Sequence, residues 1–323
     1  MDNRDRLAPP RLAIVVPCYN EQEVFEQTEA TLRQLLCRMA YHGEISAGSF
    51  VVYVDDGSAD ATWHLIEESV MEYPGTDRGV KLGHNSGHQN ALLAGVEAAL
   101  PYCDAAITID ADLQDDVEAI PRMVEEYRRG CEVVYGVREN RQTDSGFKRR
   151  SAEGFYKTMH RLGVETVFNH ADFRLMSARA LHELLRYKED NIFLRGIVPR
   201  IGLRQGVVKY DRKPRRAGES KYPLKKMLNF AIEGITSFSI RPVRMVFTIG
   251  VIFLLITLAI FIYTLCRYFT NQVIEGWTSL MLSIWFCTGV LLVSLGIIGE
   301  YVGKVFIEVK NRPRYVIETT KGF

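Results

Sequence analysis

The segment AAITIDADLQDD, residues 105–116, decides the fold. A short apolar run suited to a buried strand ends in Asp110 and Asp112, with Gln114, Asp115 and Asp116 directly behind. Aspartates at a strand end serve two purposes. They hold a metal ion and phosphate, or they close a turn and cap the next helix. The segment alone leaves both open, so its meaning rests on what the rest of the chain brings near it.

Three further segments repeat the pattern. RLAIVVP (11–17) and FVVYVD (50–55) read as buried strands, and CEVVYG (131–136) as another. Between them, 21–40 and 117–129 carry helical mixtures of apolar and charged residues. Strands alternating with helices imply βαβ units, an α/β fold with a mostly parallel sheet covered on both faces. In such sheets ligands lie beyond the carboxyl ends of the strands. The polar residues fall there: PCYNE after the first strand, DDGS after the second, DAD after the third, and the small-residue turn LGHNSGHQNALLAG (82–95) between them.

The chain has 323 residues, with 40 Lys and Arg against 39 Asp and Glu, which argues against a general nucleic-acid binder. Cys18, Cys37, Cys103, Cys131, Cys266 and Cys287 show neither CxxC nor zinc spacing and fit a reduced compartment. The start, MDNRDRLAPP, is polar and lacks the apolar core of a signal peptide.

The average composition conceals a division. No charged residue occurs from Met245 to Cys266, nor from Trp277 to Gly299. Each run exceeds the ~20 residues needed to cross a bilayer as a helix. Arg241 and Arg244 precede the first, Lys304, Lys310, Arg312 and Arg314 follow the second, and Arg267 is the only basic residue between them. That bias predicts a two-span hairpin with its long N-terminal domain and its tail in the cytoplasm. The expected organisation is a catalytic domain over 1–210 and a basic loop with a juxtamembrane amphipathic helix over 211–244. A hairpin over 245–300 and a cytoplasmic tail over 301–323 complete it. A channel or transporter is disfavoured, because the runs hold no ionisable residue. Gly296, Gly299 and Gly303 offer small surfaces compatible with a homo-oligomer.

Neither GxGxxG after the first strand nor GxxxxGK[ST] is present, which weakens dinucleotide and P-loop readings. Asp110 and Asp112 instead suit a hard divalent cation, Mg²⁺ or Mn²⁺, bridging carboxylate and diphosphate and taking up leaving-group charge. His84 and His88 lack the glutamate of an HExxH site; His88 reads as a donor-site hydrogen bonder. The segment 209–226 holds eight basic residues against two acidic ones. Next to a membrane it is suited to a lipid phosphate, with Arg215, Arg216, Ser220 and Lys221 as candidates. Arg138, Lys148 and Arg149 form an earlier basic group suited to the donor diphosphate or the lipid phosphate.

In order along the chain, IVVPCYNE (14–21), VDDGSAD (54–60), NSGHQNALLAG (85–95), DADLQDD (110–116) and ADFRLM (171–176) resemble the GT-A glycosyltransferases of family 2. With GESKYPLKKMLNF (218–230) and the two apolar runs, the chain resembles the bacterial two-span branch of the polyprenyl-phosphate glycosyltransferases. That group includes dolichyl-phosphate mannose synthases and undecaprenyl-phosphate sugar transferases. The resemblance extends from about Leu12 to Tyr315. It implies a nucleotide-sugar donor, a polyprenyl phosphate acceptor in the cell inner membrane, and inversion at the anomeric carbon. It assigns the nucleoside to Pro17, Asn20 and Glu21, with Asp55 or Asp56 on the base. It assigns the metal to Asp110, Asp112 and Gln114, and acceptor orientation or proton removal to Asp172. Relatives carry Asn or His followed by proline where Asp115 and Asp116 stand, which leaves those two open between supporting the site and starting a helix in solvent. QxxRW, the mark of processive members, is absent, so one sugar is transferred. UDP-glucose with undecaprenyl phosphate is the leading pair, as in surface-polysaccharide modification. A 4-deoxy-4-formamido-L-arabinose donor and GDP-mannose remain alternatives, as does a non-catalytic membrane adaptor.

Overall fold

The computed structural model describes residues 8–138, 170–189, 194–211 and 276–323, with isolated helical positions between 246 and 262. Eight strands among them form one mixed sheet: β1 (Leu12–Cys18), β2 (Phe50–Asp55), β3 (Asp77–Leu82), β4 (Ala105–Thr108), β5 (Val133–Arg138), β6 (His170–Ser177), β7 (Gln205–Tyr210) and β8 (Ile317–Lys321). Their order is β7-β5-β6-β4-β1-β2-β3-β8. The sequence expectation of βαβ units holds for β1 to β4, whose neighbouring pairs are all parallel. β1 to β2 are connected by α1 (Phe25–Tyr41), β2 to β3 by α2 (Thr62–Glu72), and β3 to β4 by α3 (His88–Ala99). β1 and β2 are buried along their whole length, as continuous apolar strands covered on both faces must be. α3 lies so close on the sheet that a Cβ at Gly95 would meet Val15 and Val54 at 2.5 and 2.6 Å.

The other half reverses direction. β6 runs antiparallel to both β4 and β5, with Thr108 opposite Arg174 and Val137 opposite His170. Reversal puts the start of β6 at the edge where β4 ends, so Asp172 extends beyond Thr108 toward Asp110. β5 ends at the same edge with Arg138. Helices α4 (Ile120–Arg128) and α5 (Ala178–Leu185), and the single turn α6 (Leu194–Ile197), complete this half. Cys18, Cys37, Cys103, Cys131 and Cys287 are free thiols.

The chain divides into two compact units, one holding the sheet and the other most of the C-terminal third before Arg312. In the second, α7 (Trp277–Val309) continues through Gly299 for ten more residues. Its stretch Phe286–Val309 has a mean hydropathy of 1.9 and the length to cross a membrane. The basic segment 212–226, the expected amphipathic helix and all but scattered positions of the first apolar run lie outside the described residues.

Residues 312–323, within the tail expected over 301–323, belong to the sheet unit. β8 pairs antiparallel with β3. Tyr315 Oη donates to Glu97 at 2.5 Å, Lys81 Nζ pairs with Glu318 at 3.0 Å, and Lys321 Nζ lies 3.4 Å from Glu67. The ring of Phe323 closes an aromatic cage on the buried Arg78 with Phe50 and Tyr102, at 5.1, 3.6 and 4.8 Å from the guanidinium carbon. Guanidinium stacking on aromatic faces replaces hydration for a cation taken out of water.

Asp77, buried at the start of β3, accepts from Ser69 Oγ at 2.6 Å, while its Oδ1 has no hydrogen-bond partner among the described residues. Burial pushes its carboxyl up to about 7, with Ser69 and Arg33 opposing and Glu29 reinforcing. A carboxyl protonated in the native state and ionised in the unfolded chain contributes stability below the unfolded value of ~4, and loses it as pH rises toward 7. Thermal melts from pH 5 to pH 8 should therefore show wild type losing stability relative to Asp77→Asn. A difference between the two that is constant across this range would contradict the assignment.

Candidate functional site

The site is built at the carboxyl edge of β1, β2 and β4 and the amino end of β6, beside the point where the strand order turns from β1 to β4. Three loops are stitched together there by their own backbone. Asn20 sits in the left-handed region at φ 55, which asparagine tolerates better than most residues. Its N–H donates to Ser58 Oγ at 3.0 Å, and its Oδ1 accepts from Ala59 N at 2.8 Å. Glu21 N donates to Thr62 Oγ1 at 2.9 Å. The loop after β1 is thus fixed to the loop after β2. Gly57 makes the next approach possible: at φ +68, a Cβ there would lie 2.7 Å from the backbone at His84 and Asn85.

The two aspartates of VDDGS separate in role. Asp56 accepts from the N–H groups of Ser86 and Gly87 at 2.7 and 2.9 Å, so it clamps the third loop. Asp55 accepts from Ser58 N at 3.2 Å through Oδ1, whereas its buried Oδ2 has no partner among the described residues. Burial raises the carboxyls of both, against the hydrogen bonds they accept. A buried acceptor left unpaired costs free energy until a donor arrives. Of the pair, Asp55 is the better fitted to receive an N–H of a base. Pro17, next to last in β1, lies opposite Val54, and Cys18, which ends the strand, lies opposite Asp55.

The opening aspartates also divide. Asp115 is 2% exposed and turned inward: Arg138 lies 3.0 Å from its Oδ1, and Tyr210 Oη donates to the same atom at 2.5 Å. Arg138 Nε completes the triangle at 3.2 Å from Tyr210 Oη. Asp116 caps the short 3-10 turn Val117–Ala119 by accepting from Glu118 N. Gln114 is buried, its N–H donating to Asp112 Oδ1 at 3.2 Å, and its Nε2 is unpartnered among the described residues. That leaves Asp110 and Asp112 facing the cleft. Partial withdrawal from solvent pushes the Asp110 carboxyl up to about 6; His88 opposes this, and the carboxylates of Asp115, Asp172 and Asp112 add to it.

Among the described residues no three His, Cys, Asp or Glu side chains converge as a self-sufficient metal site. Two hard carboxylates two residues apart, one of them raised by burial and by neighbouring carboxylates, nevertheless fit a cation such as Mg²⁺, which takes few protein ligands and completes its shell from phosphate and water.

Alternation along β6 places Asp172 and Arg174 on one face and Phe173 on the other, where Phe173 packs edge-on against Tyr210 at 5.3 Å. Arg174 is 1% exposed and pairs with Asp172 Oδ1. Arg195 Nη2 reaches Asp172 Oδ2 at 3.1 Å. His88, the first residue of α3, sets its Nε2 3.4 Å from Asp110 Oδ1 and 3.8 Å from Asp172 Oδ2. Burial acts to raise the Asp172 carboxyl, but Arg174 and Arg195 outweigh it and hold the group well below the usual carboxylate range. Burial lowers Arg174 while Asp172 opposes this, and a guanidinium stays protonated regardless. Asp172 is thus a permanent anion and a weak base.

Pro17, Asn20, Glu21, Asp55, Asp56, Asp110, Asp112, Gln114, Arg138 and Asp172 fall in these loops or strand ends, and His88 at the start of α3. Lys148, Arg149, Arg215, Arg216, Ser220 and Lys221 lie outside the described residues. Sequence reasoning missed Gln89, Arg195 and Tyr210. The only signal for Arg195 was a cation set in the apolar run LRGIV (194–198).

Glycosyl transferase family 2 matches over residues 13–185. The uncharacterized glycosyltransferase YkoT of Bacillus subtilis (strain 168) is 49% identical over 310 residues, 96% of this chain and 91% of its own. The SfII prophage-derived bactoprenol glucosyl transferase of Shigella flexneri is 37% identical over 313 residues, 95% of this chain and 97% of its own. The bactoprenol glucosyl transferase of Shigella phage SfV is 36% identical over 316 residues, 96% of this chain and 99% of its own.

Removing the Asp172 charge strands Arg174 in the interior. Asp172→Ala should destabilise the sheet unit by ~3–5 kcal/mol. Arg195→Gln, which removes a partly exposed partner and leaves the buried pair intact, should cost much less. Thermal or denaturant unfolding compares the two, and equal losses would contradict the ranking.

Proposed function

Because the chain belongs to glycosyl transferase family 2, we propose that it transfers one glucosyl unit from UDP-glucose to undecaprenyl phosphate, with inversion. The relatives named bactoprenol glucosyl transferase, aligned over almost the whole chain, support the donor sugar and the lipid.

The observation that carries the acceptor class is the double clamp on Asp172. A sugar hydroxyl needs a general base whose pKa lies near the working pH. Asp172, held ionised by two guanidinium groups, does not meet that need. A phosphate monoester arrives largely ionised near neutral pH, its second pKa being ~6. Its oxygen attacks without a base, and Asp172 then serves to orient its surroundings.

In this reading Asp55 accepts from the base, and the loop around Pro17, Asn20 and Glu21 walls the nucleoside. Asp110 and Asp112 hold a divalent cation, which supplies charge neutralisation for the departing UDP. His88 stands between Asp110 and Asp172, with Nε2 within 4 Å of an oxygen of each. Arg138, anchored on Asp115 and Tyr210, stands at the same sheet edge toward the donor, and Arg215, Arg216, Ser220, Lys221, Lys148 and Arg149 are assigned to the phosphates.

The reading includes membrane attachment through two spans. β8 and β1 belong to one sheet, so the chain must return to the side of the membrane it left. If Phe286–Val309 crosses, a second crossing precedes it. The uncharged run from Met245 to Cys266 supplies one.

Purified protein given undecaprenyl phosphate and radiolabelled donors should move label into the organic phase from UDP-glucose, and EDTA should abolish it. Asp112→Ala should reduce turnover at least a hundredfold with the melting temperature retained. Full turnover by that variant would reject the metal–diphosphate assignment. Label from GDP-mannose in place of UDP-glucose would reject the donor.

A further inference from the structure

We propose that Arg195 is a phosphate-binding residue of the transfer reaction. In the loaded enzyme its guanidinium grips a phosphate oxygen of one of the two phosphorylated substrates, while Asp172 keeps it aimed. The proposal rests on the phosphate-acceptor reading above and adds a residue that no motif supplied.

Charge is the first reason. Asp172 receives Arg174 on Oδ1 and Arg195 on Oδ2, with the imidazole of His88 close to the second oxygen. Arg174, 1% exposed, holds Asp172 from the interior, whereas Arg195 is 38% exposed and reaches the same carboxylate from the solvent side, with Nη2 3.1 Å from Oδ2 and Nε 3.5 Å from Oδ1. Turning Arg195 toward a substrate oxygen leaves Asp172 paired, so the large penalty for stranding a buried ion does not arise.

Placement is the second. His88 Nε2 lies within 4 Å of both Asp172 Oδ2 and Asp110 Oδ1. Arg195 and His88 therefore lie against the same oxygen of Asp172, and His88 in turn lies against Asp110, one of the carboxylates assigned to the metal and diphosphate. The backbone at Arg195 is also fixed. Leu194 N donates to Gln89 Oε1 at 2.8 Å, and Gln89 follows His88 at the start of α3. Leu194 and Ile197 are buried on either side of it. One dipeptide, His88–Gln89, thus touches both carboxylates, Asp110 and Asp172, and the backbone that carries the cation. A guanidinium fork matches two phosphate oxygens in a way an ammonium cannot.

The same chemistry fits the donor diphosphate and the lipid phosphate, so the test separates them. Full-length wild type, R195Q and R195K are compared by steady-state transfer, varying UDP-glucose and undecaprenyl phosphate in turn, with thermal melts as the folding control. Loss of a charge-assisted hydrogen bond predicts that R195Q raises the KM of one substrate about tenfold or more. R195K should recover part of that loss, and the substrate affected identifies the phosphate. Unchanged KM for both substrates in R195Q would overturn the proposal, even with a lower kcat, since a residue acting only through Asp172 alters the rate alone. If R195Q fails to fold, R195K decides: a KM shift for one substrate supports the proposal, and wild-type values for both overturn it. Wild type that makes no glucolipid would reject the functional reading instead. Affinities for UDP and for undecaprenyl phosphate in detergent, wild type against R195Q, then decide the proposal, and equal affinities for both ligands would overturn it.

Discussion

The ion pair between Asp172 and Arg174 is the constraint on which the site depends. Arg174 is a fully charged side chain inside the sheet unit, and only a permanent anion makes its burial tolerable. That requirement fixes the protonation state of Asp172, and with it the chemistry the cleft can support. A carboxylate committed to holding a buried cation is a poor proton acceptor. The acceptor must then bring its own negative charge, which leads to a phosphate. The reversal of β6 against β4 matters for the same reason, because it delivers this anion to the edge where Asp110 waits.

The acidic segment after β4 shows how one cluster serves separate ends. Asp115 is withdrawn from solvent to hold Arg138 and Tyr210, and Asp116 caps a turn. Asp110 and Asp112 are left facing the cleft, where burial and the neighbouring carboxylates raise Asp110 against the opposing His88. Four aspartates that read alike in sequence therefore split into two that stabilise the fold and two whose charge calls for a cation. The pair after β2 divides similarly, with Asp56 spent on the loop at Ser86 and Gly87 and Asp55 keeping an open acceptor.

Much of this was legible in the sequence because its signals are local. Apolar runs ending in polar turns located β1, β2 and β4 to within a few residues, and the shared position of those turns implied one cleft. What sequence could not supply depends on direction and on distant pairing. Nothing local in ADFRLM says that β6 runs backward, and nothing in LRGIV says that Arg195 will meet Asp172. β8 was hidden for the same reason. IETTK is a short polar stretch, half exposed at a sheet edge, and its strand identity comes from pairing with β3. The apolar run ending at Gly299 gave no stop signal that helix geometry obeys, so α7 continues to Val309.

The central claim is that Asp172, held ionised by its guanidinium partners, is no general base for a hydroxyl, and that transfer relies on an acceptor that arrives ionised. The most direct test offers UDP-glucose and a divalent cation with either undecaprenyl phosphate or undecaprenol, the same chain ending in a hydroxyl. The account predicts glucolipid from the phosphate and none above background from the alcohol across pH 6 to 9. Comparable transfer to undecaprenol would contradict it and return Asp172, or another group, to the role of base.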